Sequence, residues 1–249
     1  MKRKALLIGP NFQDLPGVKA DMNVWRSFLT SSYGGAWNPA EICDTSEVIT
    51  EGILTWDRLQ PLVQDAFSAD YIFIAFSGHG GTYNQREDKY GLPVTYIYLN
   101  DYERVPEFYF VPTEYGKRCT LILDCCRKPD EGIPLTKVAS AINESALLLA
   151  KAMARKCFDD ALGVCEYGLT RIYSTKLNEA AADIHSFSRC MISGAKSFMS
   201  LSTDNSVLSL KEATQIAGEV LKEHHESQIP VYNAGRRRNH FPFAVRVRI

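Results

Sequence analysis

The sequence predicts an α/β fold built around a largely parallel sheet. Three short apolar runs, each followed by glycine or a polar residue, have the composition of strands buried on both faces: residues 5–8, 71–76 and 121–123. Segments with apolar residues at helical spacing alternate with them. Strands that alternate with helices are typical of a layered α/β domain, and no linker or repeat divides the chain.

The individual elements follow from local patterns. The predicted strands are residues 5–8, 71–76, 96–99, 121–123 (starting as early as Cys119), 170–174 and 241–249. The predicted helices are residues 18–29, 56–67, 139–154, 188–200 and 210–224. Thr55 is the expected N-cap of the second helix, and residues 32–47 are expected to be a loop with at most one short strand.

Composition and charge exclude several classes of protein. The 249-residue chain is 45% hydrophobic and 23% charged, with a net charge of -1. This balance gives no reason to expect nucleic acid or a membrane surface as a partner. The N-terminal apolar run is about five residues, shorter than a signal peptide or a membrane span requires, so we expect a cytoplasmic protein.

The cysteines indicate a reduced protein. There are seven of them, an odd number, with no Cys-x-x-Cys and no Cys/His pair at zinc spacing. We therefore expect no disulfide framework, no bound metal and no cofactor.

One strand end carries a histidine between glycines. The stretch "FSGHGG", residues 76–81, follows the predicted strand at residues 71–76, and ligands of open parallel sheets bind beyond the carboxyl ends of strands. Gly78 and Gly80 leave the ring of His79 uncrowded. A lone turn histidine is more often without a function, so His79 needs a partner to become a candidate.

A second strand end carries two cysteines. Cys125 and Cys126 follow Asp124 in "DCCR", and a thiol beside an imidazole forms a nucleophile and its base. Because side chains alternate in an extended segment, the two sulfurs face opposite ways. The pattern leaves open which one is the nucleophile and which is a small core residue.

These motifs together resemble the caspase/metacaspase clan, peptidase family C14, in its bacterial branch. Caspases place the histidine about 50 residues before the cysteine, and here 126 minus 79 gives 47. "FSGHG" is similar to the Ser-Gly-His-Gly loop, and "DCCR" to the Asp-x-Cys motif, whose last cysteine is Cys126. The stretches "KALLIGPN", "GVKAD", "RIYSTKLNEAA" and "FPFAV" resemble further family segments, so the likeness spans most of the chain.

The resemblance implies a fold and an activity. It implies one caspase-like domain over residues 1–249, with a large-subunit-like part at 1–155 and a small-subunit-like part at 169–249. It further implies a central, mostly parallel, six-stranded sheet with helices on both faces. The activity would be that of a cysteine endopeptidase acting on proteins or peptides, with His79 and Cys126 as catalytic residues, the backbone N–H groups of Gly80 and Cys126 at the oxyanion, and no obligatory third acid.

The resemblance also implies a specificity pocket. Asp21, Ser77 and Asp124 match positions that select Arg or Lys before the cut, and paired carboxylates favour a guanidinium. Other residues argue against Arg or Lys before the cut, because true caspases use arginines to bind Asp at that position. These residues are Arg127 and the run Arg236, Arg237 and Arg238. Another interpretation is that Asp124 caps the next helix.

Departures and alternatives remain. Arg127-Lys128-Pro129 replaces the family's His-Ser-Gly, so calcium dependence and the role of Arg127 are open. The main alternative is a catalytically silent binding or signalling module with this fold. A flavodoxin-like nucleotide-binding domain lacks its glycine motif, and a phosphatase would need Arg127 farther from Cys126.

A biological role is implied by the bacterial members alone. They resemble effectors of antiphage or regulated cell-death systems, activated by a sensor protein or a nucleotide messenger. The run Arg236, Arg237 and Arg238 is a possible site for such an anionic ligand, although charge runs are more often solvated loops.

Overall fold

A computed structural model of the protein describes residues 1–15, 17–49, 52–87, 93–127, 148–181, 186–224 and 226–248. Its helices are α1 (Gly17–Thr30), α2 (Thr45–Val48), α3 (Trp56–Phe67), α4 (Leu148–Gly163), α5 (Phe187–Leu201) and α6 (Leu210–Glu223). Its strands are β1 (Arg3–Ile8), β2 (Ile42–Asp44), β3 (Tyr71–Ser77), β4 (Gly80–Glu87), β5 (Pro93–Tyr98), β6 (Arg104–Pro106), β7 (Arg118–Asp124), β8 (Gly168–Tyr173), β9 (Ser206–Ser209), β10 (Val231–Asn233) and β11 (Pro242–Arg246).

The central sheet has six strands in the order β10-β8-β7-β3-β1-β2. All neighbours pair in parallel except β10, which runs antiparallel to β8. The predicted number of strands is correct, but two of the predicted strands lie elsewhere. β5 joins a three-stranded sheet with β4 and β6, and β11 pairs with β9. The short β2 and β10 complete the six, and their three residues each are too few to show a pattern.

Both faces of the sheet are covered, as predicted. Along β3, alternate side chains enter two separate apolar clusters, one containing Tyr71 and Phe73 and the other Ile72 and Ile74. The first cluster is completed by α1, α4, α5 and α6, and the second by α3 and the three-stranded sheet. Burying a large apolar side chain contributes about 1.5–3 kcal/mol, so these two layers fix the position of β3 in the sheet.

The predicted helices agree with the structure, with one exception in length and one in capping. α4 continues to Gly163 instead of ending at residue 154, while residues 139–147 of that prediction lie outside the described part. Thr55 occupies the N-cap position of α3 but makes no side-chain capping bond. The N–H of Trp56 instead donates to Oε2 of Glu103 at 3.0 Å, so the cap comes from a distant loop.

Two further observations bear on the expectations from composition. All seven cysteines are free thiols. No helix among the described residues combines the length and apolarity that crossing a membrane requires. The division into parts at residues 1–155 and 169–249 stays a prediction.

Candidate active site

The two motif-bearing loops begin side by side at the carboxyl edge of the sheet. β3 and β7 are parallel neighbours, and their register pairs Ser77 with Asp124. The N–H of Gly78 donates to the carbonyl oxygen of Asp124 at 3.2 Å, so the loops stay joined beyond the last pair. His79 and Cys126 each follow two residues after the paired positions. Since neighbouring strands lie about 4.8 Å apart, this register brings the imidazole and thiol loops together.

His79 is held by the loop between β1 and α1. Its Nε2 lies 2.9 Å from Oδ2 of Asp14, and its ring packs against that of Phe12 in a T-shaped arrangement with a centroid distance of 4.7 Å. Its carbonyl oxygen accepts the N–H of Tyr98 at 3.0 Å. Sequence reasoning missed Asp14. The available signal was its position after β1, since the ends of parallel strands share one edge.

The two cysteines differ in environment. Cys125 is 1% exposed and lies in an apolar cluster, whereas Cys126 is partly exposed. Burial raises the pKa of the Cys125 thiol well above its usual value, and the neighbouring Cys126 and Asp124 raise it further. A thiol this hard to ionise is a poor nucleophile. The accessible sulfur at this edge is therefore that of Cys126.

Gly80 is required for the close approach of the two loops. A Cβ atom at this position would lie 2.5 Å from Sγ of Cys125, closer than packing allows. Cys125 therefore fills the space beneath the loop that carries His79. Gly80 begins β4 and Cys126 directly follows the loop residue Cys125, so both predicted oxyanion donors lie at this edge.

The loop after β8 contacts the sulfur of Cys126. The N–H of Ala181 donates to Sγ at 3.4 Å. Two backbone bonds hold this loop in place: Arg127 N–H to Glu179 O, and Asn178 N–H to Arg127 O, both at 3.0 Å. The loop thus borders the thiol of Cys126.

The three predicted pocket residues lie together, next to the loops that carry His79 and Cys126. Oδ2 of Asp21, on α1, accepts the hydroxyl of Ser77 at 2.7 Å, and Ser77 pairs with Asp124 across the sheet. Their exposed fractions are 2% for Asp21 and 5% for both Ser77 and Asp124. We call these three residues the acidic cluster.

Asp124 has a strongly perturbed ionisation. Burial, and next the negative charge of Asp21, raise the pKa of the Asp124 carboxyl to about 7. Its Oδ2 accepts the N–H of Ser188 at 2.8 Å, in the first turn of α5. Asp124 does therefore contact a helix N-terminus, but that of α5, 64 residues away, because the tertiary fold and not the sequence order sets the contact.

With this geometry in place, the family can be stated. The model of the caspase domain, Peptidase_C14, matches residues 2–241. The chain belongs to the caspase-domain family. The predicted clan is thereby confirmed, and the family consists of cysteine peptidases.

Individual relatives of this caspase domain are distant. Metacaspase-1 of Candida albicans is 34% identical over 99 residues, which is 36% of this chain and 22% of the relative. Metacaspase-1 of Scheffersomyces stipitis is 36% identical over 90 residues, 32% of this chain and 22% of the relative. The chain thus spans about a fifth of the length of these curated relatives. The crystal structure of caspase-1 from Spodoptera frugiperda superposes with a TM-score of 0.57 at 11% identity, covering 94% of this chain and 86% of the other.

The acidic cluster contains a cation that the sequence analysis did not predict. Nε of Arg189, on α5, lies 2.6 Å from Oδ1 of Asp21, which also accepts the hydroxyl of Ser186 at 2.8 Å. The ion pair joins residues 168 positions apart, so no local pattern reveals it. Its effect is to neutralise one of the two carboxylates of the acidic cluster.

Arg127 has protein partners throughout. Its guanidinium lies 3.9 Å above the ring of Tyr173, and Nε donates to Thr95 at 3.2 Å. Its carbonyl oxygen accepts the hydroxyl of Thr82 at 2.7 Å. Because its side chain is 9% exposed, Arg127 joins the nucleophile loop to the three-stranded sheet. This answers the question that the sequence left open about its role.

The basic run lies at the opposite edge of the sheet. Nη1 of Arg237 donates to Thr170, near the start of β8, at 3.1 Å, and its Cζ lies 4.4 Å from the ring of Phe241. Arg236 and Arg238 are exposed. Arg238 and His240 border a surface cavity of about 450 Å³ together with Lys211. The structure therefore does not bring the run to His79, Cys126 or the acidic cluster.

Metal binding was not expected from the sequence. Among the residues described by the structure, no group of three His, Cys, Asp or Glu side chains is arranged to hold an ion. The absence of a resident cofactor stays a prediction.

Proposed function

We propose that this caspase domain is a cysteine endopeptidase with Cys126 as nucleophile and His79 as base. The observation that carries the proposal is the register of β3 and β7, from which both residues emerge at one edge. The family match supports it, because the caspase-domain family consists of cysteine peptidases.

The reaction uses two proton transfers in each half. His79 accepts the thiol proton of Cys126 as Sγ bonds to the substrate carbonyl carbon, and the backbone N–H groups of Cys126 and Gly80 bind the oxyanion. The imidazolium then gives its proton to the leaving amine, which yields a thioester. In the second half His79 takes a proton from water, the hydroxyl adds to the thioester, and the proton returns to the sulfur as the acid leaves.

Cleavage of a peptide library by cysteine variants tests the assignment. We expect Cys126→Ala to remove cleavage entirely, whereas Cys125→Ala keeps it, with a loss of stability of about 1 kcal/mol for the small cavity. Retained cleavage by Cys126→Ala would refute the nucleophile. Labelling with an active-site alkylating probe separates a peptidase from a silent binding module when the unmodified chain is compared with Cys126→Ala, because Cys43 and Cys157 are also partly exposed thiols.

We propose Arg or Lys as the residue before the cut. The support is the burial of Asp124 beside the nucleophile loop: Arg189 neutralises Asp21, and Asp124 has no such cation among the described residues, an environment that favours a guanidinium from the substrate. The opposing arginine clues lose weight, because Arg127 is engaged with Thr95 and Tyr173, and Arg237 lies at the other edge. A library varied at this one position is the test: preferred cleavage after Asp or Glu would contradict the proposal.

The biological role is proposed on the resemblance to bacterial members alone. We propose an effector of an antiphage or regulated cell-death system, activated by a sensor protein or by an anionic nucleotide near Arg236 and Arg238. Mapping new N-termini in a proteome treated with the active chain reports the breadth of cleavage. If joint replacement of Arg236 and Arg238 leaves activation intact in a folded chain, the nucleotide site is wrong.

A further inference from the structure

The loop that contacts His79 is anchored independently of that contact. Phe12, Leu15 and Val18 form a small buried apolar cluster, and Tyr98 packs against it. Two backbone bonds tighten the turn, Leu15 N–H to Phe12 O at 3.3 Å and Val18 N–H to Leu15 O at 3.2 Å. Asp14 therefore lies in a turn that these bonds and the packing of Phe12 and Leu15 hold in place.

Tyr98 is a shared anchor for the loop and the histidine. Its side chain packs on the cluster of Phe12, Leu15 and Val18, while its N–H donates to the carbonyl oxygen of His79. The ring of Phe12 also meets the imidazole at 70° between ring planes. The backbone of His79 is thus held by Tyr98 and its ring packs against Phe12, and the remaining freedom is rotation of the imidazole. The bond to Asp14 stops that rotation.

The chemistry of the two groups decides which nitrogen carries the proton. An ionised carboxylate only accepts hydrogen bonds, and a neutral imidazole has one N–H and one lone pair. With Nε2 at 2.9 Å from Oδ2 of Asp14, Nε2 must hold the hydrogen. The lone pair is then on Nδ1, and Nδ1 is the atom able to take the proton of Cys126.

We infer that Asp14 is a positioning residue, which holds His79 in the Nε2–H tautomer and balances the imidazolium charge formed when Nδ1 accepts a proton. This inference rests on the proposed peptidase function and adds a third member to the pair of His79 and Cys126. The side chain of Asp14 is 47% exposed, so water screens its charge, and the effect is smaller than that of a buried acid.

The tautomer can be read directly. With ¹⁵N-labelled histidine, the ring-nitrogen shifts distinguish Nε2–H from Nδ1–H, and a His79→Gln sample identifies the signal among the five histidines. We expect the Nε2–H form in the 249-residue chain and a tautomer mixture in Asp14→Ala. An Nδ1–H form in the unmodified chain, or an unchanged spectrum in Asp14→Ala, overturns the inference.

Kinetics give the second readout. Since a general base contributes roughly 10²–10⁴-fold, we expect Asp14→Ala to lower kcat by about 10- to 100-fold with KM changed by less than about twofold. Asp14→Asn keeps an oxygen that accepts the Nε2 hydrogen and removes the charge. Its kcat is expected to lie between that of the unmodified chain and that of Asp14→Ala. Asp14→Glu recovers the Nε2–H form and most of kcat. A loss confined to KM contradicts a role in positioning the base.

A matched control variant and a separate outcome distinguish the peptidase proposal from the proposed role of Asp14. Asp204→Asn changes an exposed acid between α5 and β9, at the end of α5 away from this site, and leaves spectrum and kcat unchanged. If the unmodified chain cleaves no peptide, the peptidase proposal fails. The spectra then still decide for or against Asp14, because they require no turnover.

Discussion

The two edges of the central sheet both bury charge, but they treat it differently. At the amino edge, Arg3 bonds to Gly35 O and pairs with Asp159, while Arg118 donates to the carbonyl oxygens of Cys165 and Gly163. At the carboxyl edge, Asp124 is hydrogen-bonded by neutral groups, among them the N–H of Ser188 and the hydroxyl of Ser174, and it forms no ion pair within the described part of the chain.

The difference is one of partners: the arginines at the amino edge are paired within the protein, whereas Asp124 at the carboxyl edge has no cationic partner among the described residues. The buried cations at the amino edge have protein acceptors on several sides, although burial is still the largest effect on Arg3 and lowers its pKa. A buried carboxyl group next to a second carboxylate, with its pKa raised to about 7, is left partly uncompensated. Such perturbed groups concentrate at functional sites, which supports the proposed binding of a substrate Arg or Lys at the carboxyl edge.

The largest expected effect comes from removing that uncompensated charge. Asp124→Asn keeps shape and the bond from Ser188 but cannot ionise, and losing a buried charge partner costs about 2 kcal/mol or more. We expect kcat/KM for an Arg peptide, relative to its uncharged citrulline counterpart, to fall by about 30-fold or more. An unchanged Arg/citrulline ratio would show that Asp124 serves the stability of the fold and does not bind the substrate.

The ionisation of Asp124 predicts a pH dependence of the same ratio. Below pH 7 the raised pKa leaves this carboxyl mostly neutral, and above pH 7 it is charged, so the Arg/citrulline ratio should rise by about tenfold between pH 6 and pH 8. Both peptides are cut by the same catalytic residues, so the ratio isolates the contribution of the acidic cluster. A flat ratio contradicts the prediction.

Stability should change in the opposite direction over that range. A folded pKa above the ordinary 3.8 means that the folded state binds the proton more tightly, so the free energy of unfolding falls as pH rises from about 4 to about 7. Urea unfolding at several pH values measures this slope. Asp124→Asn is expected to flatten it, and an unaltered slope would assign it to other groups.

A smaller effect is expected from the cation inside the acidic cluster. Arg189→Met removes the partner of buried Asp21, so we expect a loss of about 1–3 kcal/mol in unfolding free energy. The freed carboxylate should also raise the Arg/citrulline ratio by roughly fivefold, the equivalent of about 1 kcal/mol of added attraction. Arg189→Lys, which keeps the charge, is the control. A fall in the ratio would mean that Arg189 assists the substrate cation.

The smallest effect is expected at the amino edge. Arg237→Met removes a hydrogen bond to Thr170 and the contact with the ring of Phe241, which costs about 1 kcal/mol of stability. The Arg/citrulline ratio should stay as it was, since this edge is remote from the acidic cluster. Arg236→Met, at an exposed position, should change the thermal midpoint little. A changed ratio in Arg237→Met would break the distinction between the two edges.

Much of the fold was predictable because it depends on local patterns. The continuous apolar runs at residues 71–76 and 121–123 could only be strands covered on both faces, and α1, α3, α5 and α6 follow helical spacing. Sheet membership was less predictable. β5 and β11 read as strands but pair outside the central sheet, since pairing depends on partners far along the chain.

In the candidate site, too, some residues were predictable from the local sequence and others depend on distant contacts. The glycines around His79 and the paired cysteines are local features, and family resemblance added Asp21, Ser77 and Asp124. Arg189 and the partners of Arg127 had no local signal, and the signal for Asp14 was only its position after β1. They act through contacts that span 65 residues for His79 and Asp14 and 168 for Arg189 and Asp21.

The sequence by itself determined the two strand ends that carry chemistry and the alternation that lets only one sulfur leave the core. These are properties of neighbouring residues, whose geometry the backbone sets within a few ångströms. Only the tertiary structure decided which acid faces His79, which cation sits on Asp21 and why Arg127 is buried. Those choices depend on the packing of loops from distant parts of the chain, where burial and charge, not chain order, select the partners.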